Sequence, residues 1–406
     1  MFRRSPPEAE VLPRDRLNVD EDMVDVEELL ARYTIEELVQ SAEHYFSRLP
    51  SWDVALAKPV SSPDEAPELL TTFGALFRGL ELAPGDTVLD FGAGSGWTSW
   101  MISQVGCQVI VSDVSETALK IAAERYERWP LLGPAPAPTF LPFDGRRLAL
   151  DDGSVDRIAC NDCFHHVPNP SEVLSEFERV LSAGGICVMS EPGANHSRQP
   201  QSQAEMRNFR VVERDIVLDD IVDQARAAGF EAVEVALYCG QPHFVDARSY
   251  AASLGPDSPA PRQLMESYLT NRTLLRLRKS GGTVLDSRRR PGLQGSIRVE
   301  VTGAILTATV SNTGGAVWLQ SPGAVGLVNL GVHLFNTDGG LVDFDFMRIP
   351  LCPDGTPIPP GGEVVAQAAL HPLEPGSYRL VVDLVSEGVC WFADNGRSAV
   401  SIDIDV

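Results

Sequence analysis

The chain is predicted to be an α/β protein: a Rossmann-like, mainly parallel seven-stranded sheet with flanking helices, joined to a C-terminal all-β sandwich. Between about residues 65 and 280, short apolar runs alternate with amphipathic helical stretches, the pattern of parallel strands with crossover helices. Beyond residue 296 the helical periodicity stops, and β runs follow one another between Gly and Pro turns. A third observation fixes the centre of the first part. Val88-Leu89-Asp90-Phe91 is an apolar strand running straight into Gly92, Gly94 and Gly96, and a helix follows from Thr98 to Val105.

In order, residues 1–21 are Pro-rich and charged and are expected to be disordered. Residues 22–64 form an N-terminal helical segment. Thr34-Ile35-Glu36-Glu37 reads as a capping box, and Leu38, Val39, Ala42, Tyr45 and Phe46 share a face with Ile35. Glu68 to Leu80 is a helix, and Pro84-Gly85-Asp86 turns into the first strand. A second strand, Cys107 to Asp113, precedes a helix capped by Ser115. The third, Thr139 to Phe143, ends in Asp144, and the fourth, Val155 to Cys160, opens into Asn161-Asp162-Cys163-Phe164-His165-His166. Ser171 caps a helix to Leu181, Gly184-Gly185 ends it, and Ile186 to Glu191 is the fifth strand. Helices are expected from Glu205 through Arg214 and from Leu218 to Ala228, then a strand from Val233 to Tyr238. An insertion over 240–272, with a helix near Pro261 to Tyr268, precedes a last strand from Thr273 to Arg278. Residues 281–295 read as a polar linker, and 296–406 as the sandwich, with strands at 297–301, 305–311, 328–335, 364–369, 378–384 and 400–406.

The glycine spacing is G-x-G-x-G rather than the dinucleotide pattern G-x-G-x-x-G, and Asp90 precedes the first glycine. A carboxylate there repels a pyrophosphate and suits a cationic ligand such as the ammonium of S-adenosylmethionine (AdoMet). Asp113 stands where an acid would take both ribose hydroxyls and fits either cofactor. On these residues the chain resembles the class I AdoMet-dependent methyltransferases over roughly residues 65–280. The resemblance implies that Asp90, Gly92, Gly94 and Gly96 hold the methionine end, that Asp113 binds the ribose, that Asp144 meets the adenine amino group, and that Asn161 lines the sulfonium. It also implies that the N-terminal helical segment covers the site as a lid.

Composition narrows the partners. A net charge of −23 excludes the basic footprint that nucleic acid requires. No stretch reads as a signal peptide or a membrane helix, so a cytoplasmic protein without membrane insertion is expected. Seven scattered cysteines read as buried thiols. No metal set is expected: Cys160-x-x-Cys163 lacks a partner pair, and Asp162, His165 and His166 are too few.

Methyl transfer from a sulfonium needs a positioned acceptor and a group to take its proton. His166 after the fourth strand, and Glu191 and His196 after the fifth, are the catalytic candidates, with His196 preferred for its loop position. Arg198, Arg207 and Arg210, continued by Arg214 at helical spacing, form a candidate substrate grip for an anionic acceptor. Residues 378–392 resemble part of the immunoglobulin-like sandwiches on bacterial polysaccharide-handling proteins. That resemblance implies that Trp318, Trp391 and Phe392 stack on sugar rings, with Asp394 or Asn395 bonding hydroxyls. The reading is a methyltransferase acting on a sugar or small-molecule acceptor in bacterial glycan assembly. The alternatives are a methyltransferase of a natural product or other metabolite, its sandwich serving to form a homo-oligomer, and a non-catalytic glycan-binding protein on a methyltransferase scaffold.

Overall fold

The computed structural model describes residues 23–132, 135–237, 271–282, 285–321, 325–396 and 399–406, with scattered positions between 246 and 263. The expectations for residues 1–21 and for a helix at 261–268 lie outside the described residues. The chain divides into two units, 1–282 and 283–406.

In the first unit the order is α1 (Val26–Arg32), α2 (Ile35–Ser47), α3 (Asp53–Ala57), α4 (Ala66–Leu80), β1 (Thr87–Phe91), α5 (Trp97–Ser103), β2 (Gln108–Asp113), α6 (Glu116–Arg128) and β3 (Thr139–Pro142). There follow β4 (Val155–Asn161), α7 (Pro170–Val180), β5 (Leu181–Pro192), α8 (Pro200–Phe209), α9 (Leu218–Ala227), β6 (Ala232–Val235) and β7 (Arg272–Arg278). The seven strands lie in the order β3-β2-β1-β4-β5-β7-β6. All pairings from β3 to β5 are parallel, while β7 runs antiparallel to both β5 and β6. Strand order reverses between β1 and β4, so the crevice at their carboxyl ends is where a ligand belongs.

Alternation along the strands divides two cores. Leu89, Phe91, Ile158, Cys160, Cys187 and Met189 face α7 and α9, whereas Val88, Ala159, Ile186 and Val188 face the α4, α5 and α6 side. The capping box of α2 forms as expected: Glu37 N–H donates to Thr34 Oγ1 at 3.3 Å, and Thr34 N–H to Glu37 Oε2 at 2.9 Å.

Two expectations in this unit are corrected. Gly184-Gly185 do not end a helix; α7 stops at Val180, and both glycines lie inside the twelve-residue β5. The helix expected over 205–214 begins earlier, with Pro200 in its first turn. It ends at Phe209, because Arg210 turns left-handed at φ +62° and the β-branched pair Val211-Val212 continues extended.

The second unit contains β8 (Gly295–Thr302), β9 (Ile305–Asn312), β10 (Val328–Asn336), β11 (Leu341–Pro350), β12 (Glu363–Ala369), β13 (Ser377–Ser386), β14 (Cys390–Trp391) and β15 (Val400–Asp405). One sheet runs β11-β10-β13-β14 with β15 also on β13, and the other runs β12-β9-β8. Leu306, Ala308 and Val310 of β9 share one core with Leu330, Val332 and Leu334 of β10 and Leu380, Val382 and Leu384 of β13. The stretch read as a linker is largely part of this unit. Leu293 is buried in the core, and Ser287 donates its hydroxyl to the Gly326 carbonyl. No helix among the described residues is long and apolar enough to cross a membrane.

Candidate active site

The loop after β1 is built around three left-handed glycines, with φ of +65° at Gly92, +52° at Gly94 and +69° at Gly96. A Cβ on Gly92 would lie 2.5 Å from that of Cys163, and one on Gly96 would lie 2.7 Å from that of Ala122. Those two glycines answer to the protein's own packing. Gly94 differs: its nearest neighbour would be the Phe46 ring at 3.7 Å, which leaves a bare backbone cradle facing the crevice.

Asp113, at the end of β2, ties this loop down. Its Oδ2 accepts from Gly94 N–H and its Oδ1 from Ser115 N–H, both at 2.8 Å. Burial raises the Asp113 carboxyl above its ordinary range, and these backbone donors oppose the rise. Arg125 of α6, which sequence reasoning missed, fixes the loop from behind by donating Nε to the Ser95 carbonyl at 2.9 Å.

Asp90 is buried at the end of β1, and its Oδ2 accepts from Thr98 Oγ1 at 2.6 Å and from the Ser99 hydroxyl. This carboxylate therefore pins the start of α5 to β1. Burial pushes its pKa up to about 6 against those hydroxyl donors. Asp144 is exposed and caps a turn, accepting from Arg146 N–H at 2.8 Å and Arg147 N–H at 2.7 Å. Asn161 ends β4 with its Oδ1 buried and unpartnered. A buried amide oxygen without a donor, an open glycine cradle and an acid at the end of β2 together fit an adenosyl amino acid.

Helix α2 lies across these strand ends. Glu36 takes Arg146 Nη2 at 2.9 Å, Val39 meets Gly145, Glu43 accepts from Ser115 Oγ and Thr117 Oγ1 at 2.7 and 2.6 Å, and Phe46 faces Gly94. The intervals of three and four residues put all four on one helical face. Tyr45 packs on Phe209 of α8, with ring centroids 5.4 Å apart.

Beside this crevice lies a cluster of three imidazoles and three carboxylates. His165 Nδ1 bonds Glu191 Oε2 at 2.7 Å, His196 Nε2 bonds Glu213 Oε2 at 2.7 Å, and His166 Nδ1 bonds the Val212 carbonyl at 2.7 Å. The His165 ring centroid lies 3.9 Å from that of His166, at a tilt, and 4.7 Å from that of His196, edge to face. Burial opposes the charge on His166, yet Glu213, the Val212 carbonyl and Glu205 outweigh it and raise its pKa. Glu213 is buried too, but the three imidazoles hold it at about 2. Glu205 is pushed up to about 7, by burial first and by Glu213 second.

His166 and His196, expected as candidates, are thus brought together around Glu213. Glu191 is fully buried beneath the rim. Its carboxylate accepts backbone N–H groups of Cys163, Phe164 and His165 as well as the His165 ring, so it holds the turn in place. Glu213 and Glu205 were missed as site residues. The available signal was an acid set directly after the apolar pair Val211-Val212.

The arginines of the candidate grip do not share one helix. Arg198, Arg207 and Arg210 are exposed, Arg210 covers the Tyr33 ring at 4.8 Å, and the end of α8 at Phe209 removes the shared helical face. In the second unit, Trp318 and Phe392 are core residues packed edge to face at 5.5 Å. They cannot stack on a sugar without unfolding the unit.

Residues 89–189 match the family described as "Methyltransferase domain". The chain is 29% identical to a demethylmenaquinone methyltransferase of Clavibacter sepedonicus over 36% of its own length and 61% of that protein's. It is 32% identical to the methyltransferase GfsG of Streptomyces halstedii, over 31% of this chain and 44% of that one. It therefore spans less than two thirds of either relative. The structure of Haemonchus contortus phosphoethanolamine N-methyltransferase 2 with phosphomonomethylethanolamine and S-adenosylhomocysteine overlaps with a TM-score of 0.43 at 17% identity. The overlap covers 62% of this chain and 61% of that one. Inside the first unit, residues 89–189 thus match a methyltransferase domain, and that match implies S-adenosylmethionine as the cofactor.

Proposed function

We propose that the chain transfers a methyl group from AdoMet to a hydroxyl or related group of a sugar or other small acceptor, in bacterial glycan assembly. The observation that carries this reading is the His196–Glu213 pair. Its 2.7 Å bond gives Glu213 the proton on Nε2 and leaves Nδ1 with a lone pair, the arrangement of an oriented general base. A hydroxyl acceptor needs such a base near neutral pH. Bound AdoMet supplies a methyl group already activated on a sulfonium. The chain's own residues do the rest. Gly94 and Asp113 hold the amino-acid and ribose parts, Asn161 offers its unpartnered Oδ1 beside them, and α2 covers the crevice and limits water.

The glycan part of the reading is supported by the second unit. Phe344 is 55% exposed, and Trp391 lies 5.7 Å from it, 4.5 Å from His333 and under the Arg348 guanidinium at 4.4 Å. Half-exposed rings among polar groups are a surface that sugar rings stack on.

The test begins with calorimetric titration of the full chain with AdoMet and, separately, with NAD. AdoMet is expected to bind and NAD to give no heat. His196→Ala should keep the AdoMet affinity of the wild type and lose methyl transfer to a panel of nucleotide sugars, followed by mass spectrometry. NAD binding alone would remove the cofactor assignment, and full turnover by His196→Ala would remove the base.

A further inference from the structure

We propose that His165, His166 and Glu213 form a site for one divalent transition-metal ion of the zinc type. Their donor atoms lie within 4.8 Å of one another. His165 Nε2 is 3.7 Å from Glu213 Oε2, and His166 Nδ1 is 3.4 Å from Glu213 Oε1. Two ligands on one tetrahedral ion, each bonded at about 2.1 Å, stand about 3.4 Å apart. The separations therefore suit a shared ion better than a direct hydrogen bond.

Three further features point the same way. Glu213 is 2% exposed, its Oε2 is already taken by His196, and its Oε1 makes no hydrogen bond of good geometry, meeting only His166 Nδ1 at 3.4 Å. A buried carboxylate oxygen held only by such a long contact can take a metal ion in place of the imidazolium. His165 gives its Nδ1 proton to Glu191, which leaves Nε2 unprotonated and directed at Glu213. A histidine held this way by a second carboxylate is the usual support of a metal ligand. Finally, the set is closed on the His165 side, 5% exposed, and open on the His166 side, 36% exposed. Three protein ligands with one open direction describe a site that takes a further ligand from solution.

Two imidazoles with one carboxylate, without thiolate, select a borderline ion such as Zn²⁺ over Mg²⁺ or Ca²⁺. On binding, the half-exposed His166 ring turns Nδ1 from the Val212 carbonyl toward the ion; the imidazolium loses its Nδ1 proton to solvent and keeps the one on Nε2, so a neutral ring ligates the ion. Asp162, His165 and His166 are too few by themselves. Glu213, brought in from a distant stretch of chain, completes the set.

The ion's role rests on the methyl-transfer reading: at the open position it would hold the acceptor oxygen and lower its pKa, with His196 alongside to take the proton. Its existence does not rest on that reading, and the test separates the two. Full-length protein is stripped with a chelator, re-equilibrated with Zn²⁺ or Co²⁺, desalted and analysed by plasma mass spectrometry. Wild type should retain one equivalent and give ligand-field absorption with Co²⁺. His165→Gln and Glu213→Gln should lose both signals, while His196→Gln keeps the ion. Circular dichroism checks that each variant folds, and His166→Gln replaces any that does not. Wild type retaining no more ion than Glu213→Gln overturns the site. AdoMet calorimetry on the same samples then reports on the methyltransferase reading independently.

Discussion

A single buried carboxylate shows how the loop trades stability for form. Asp90 ionises near its ordinary value of 3.8 when unfolded but keeps its proton up to about pH 6 when folded, because burial outweighs the Thr98 and Ser99 hydroxyls. Between those values the unfolded state binds fewer protons, so this group's contribution falls as pH rises through the window. Above about pH 6 the penalty is fully present. Asp90→Asn removes the titration and can still bond both hydroxyls. Relative to wild type, the variant should gain on the order of 1–3 kcal/mol between pH 4 and pH 7, measured as the change in the stability difference by urea unfolding. A difference that does not move with pH would mean that the charged form is not penalised in the fold. The sequence already marked Asp90 as special, because an acid in an apolar run before glycines is conspicuous. It could not tell a ligand contact from a helix pin, since that depends on where Thr98 and Ser99 turn their hydroxyls. Glu213 was less legible still. Nothing local ties it to His165, and the link is a backbone bond from Arg214 N–H to the His165 carbonyl at 3.1 Å.

At the scale of elements, the strands buried on both faces were readable as apolar runs, and β1, β2 and β4 fall within a residue of their expected bounds. Strand β11 was not. Its first five residues are exposed and it sits at a sheet edge, so Leu341-Val342-Asp343-Phe344-Asp345 presents no buried face to set a pattern. The α8 error arose because Glu205 to Arg214 is rich in helix formers, while the left-handed Arg210 is decided by packing. Helix α2 starts at the capping box read from the sequence, and its function as a cover can be tested through Glu43. Burial raises that carboxyl, but the Thr117 and Ser115 donors more than reverse it, so its pKa is lowered. Its contribution is therefore present above about pH 4.5 and lost as pH falls through the lower folded value. Glu43→Ala should cost about 1 kcal/mol, near the low end for a charged hydrogen-bonding group because Glu43 is only half buried. Faster amide exchange in residues 35–47 alone, with β1 and β2 unchanged, is the expected result. Exchange rising equally in β1 would show that α2 is part of the core rather than a cover over it.

For the whole molecule, the boundary at 282 separates two units with their own cores, and the second is closed by Trp318, Phe392 and Leu384, none more than 1% exposed. The alternating runs after residue 296 announced this unit, but its aromatic residues could not be sorted into core and surface by type alone. Trp318 and Phe392 went inward, whereas Trp391 is half-buried with its ring edge against Gly331, where a Cβ would come within 2.4 Å of it. That sorting makes the glycan reading testable. Residues 283–406, produced alone, should unfold in one cooperative transition, because their core is complete without the first unit. On a bacterial glycan array, Phe344→Ala and Trp391→Ala should abolish binding while the transition of Phe344→Ala stays within about 0.5 kcal/mol of wild type, as for an exposed side chain. Trp318→Ala should instead destabilise the unit by about 3–5 kcal/mol, the cost of emptying a buried aromatic site. If wild type binds no glycan, or binds it equally well without Phe344, this face is not a sugar platform. The acceptor would then have to be sought through the crevice of the first unit alone.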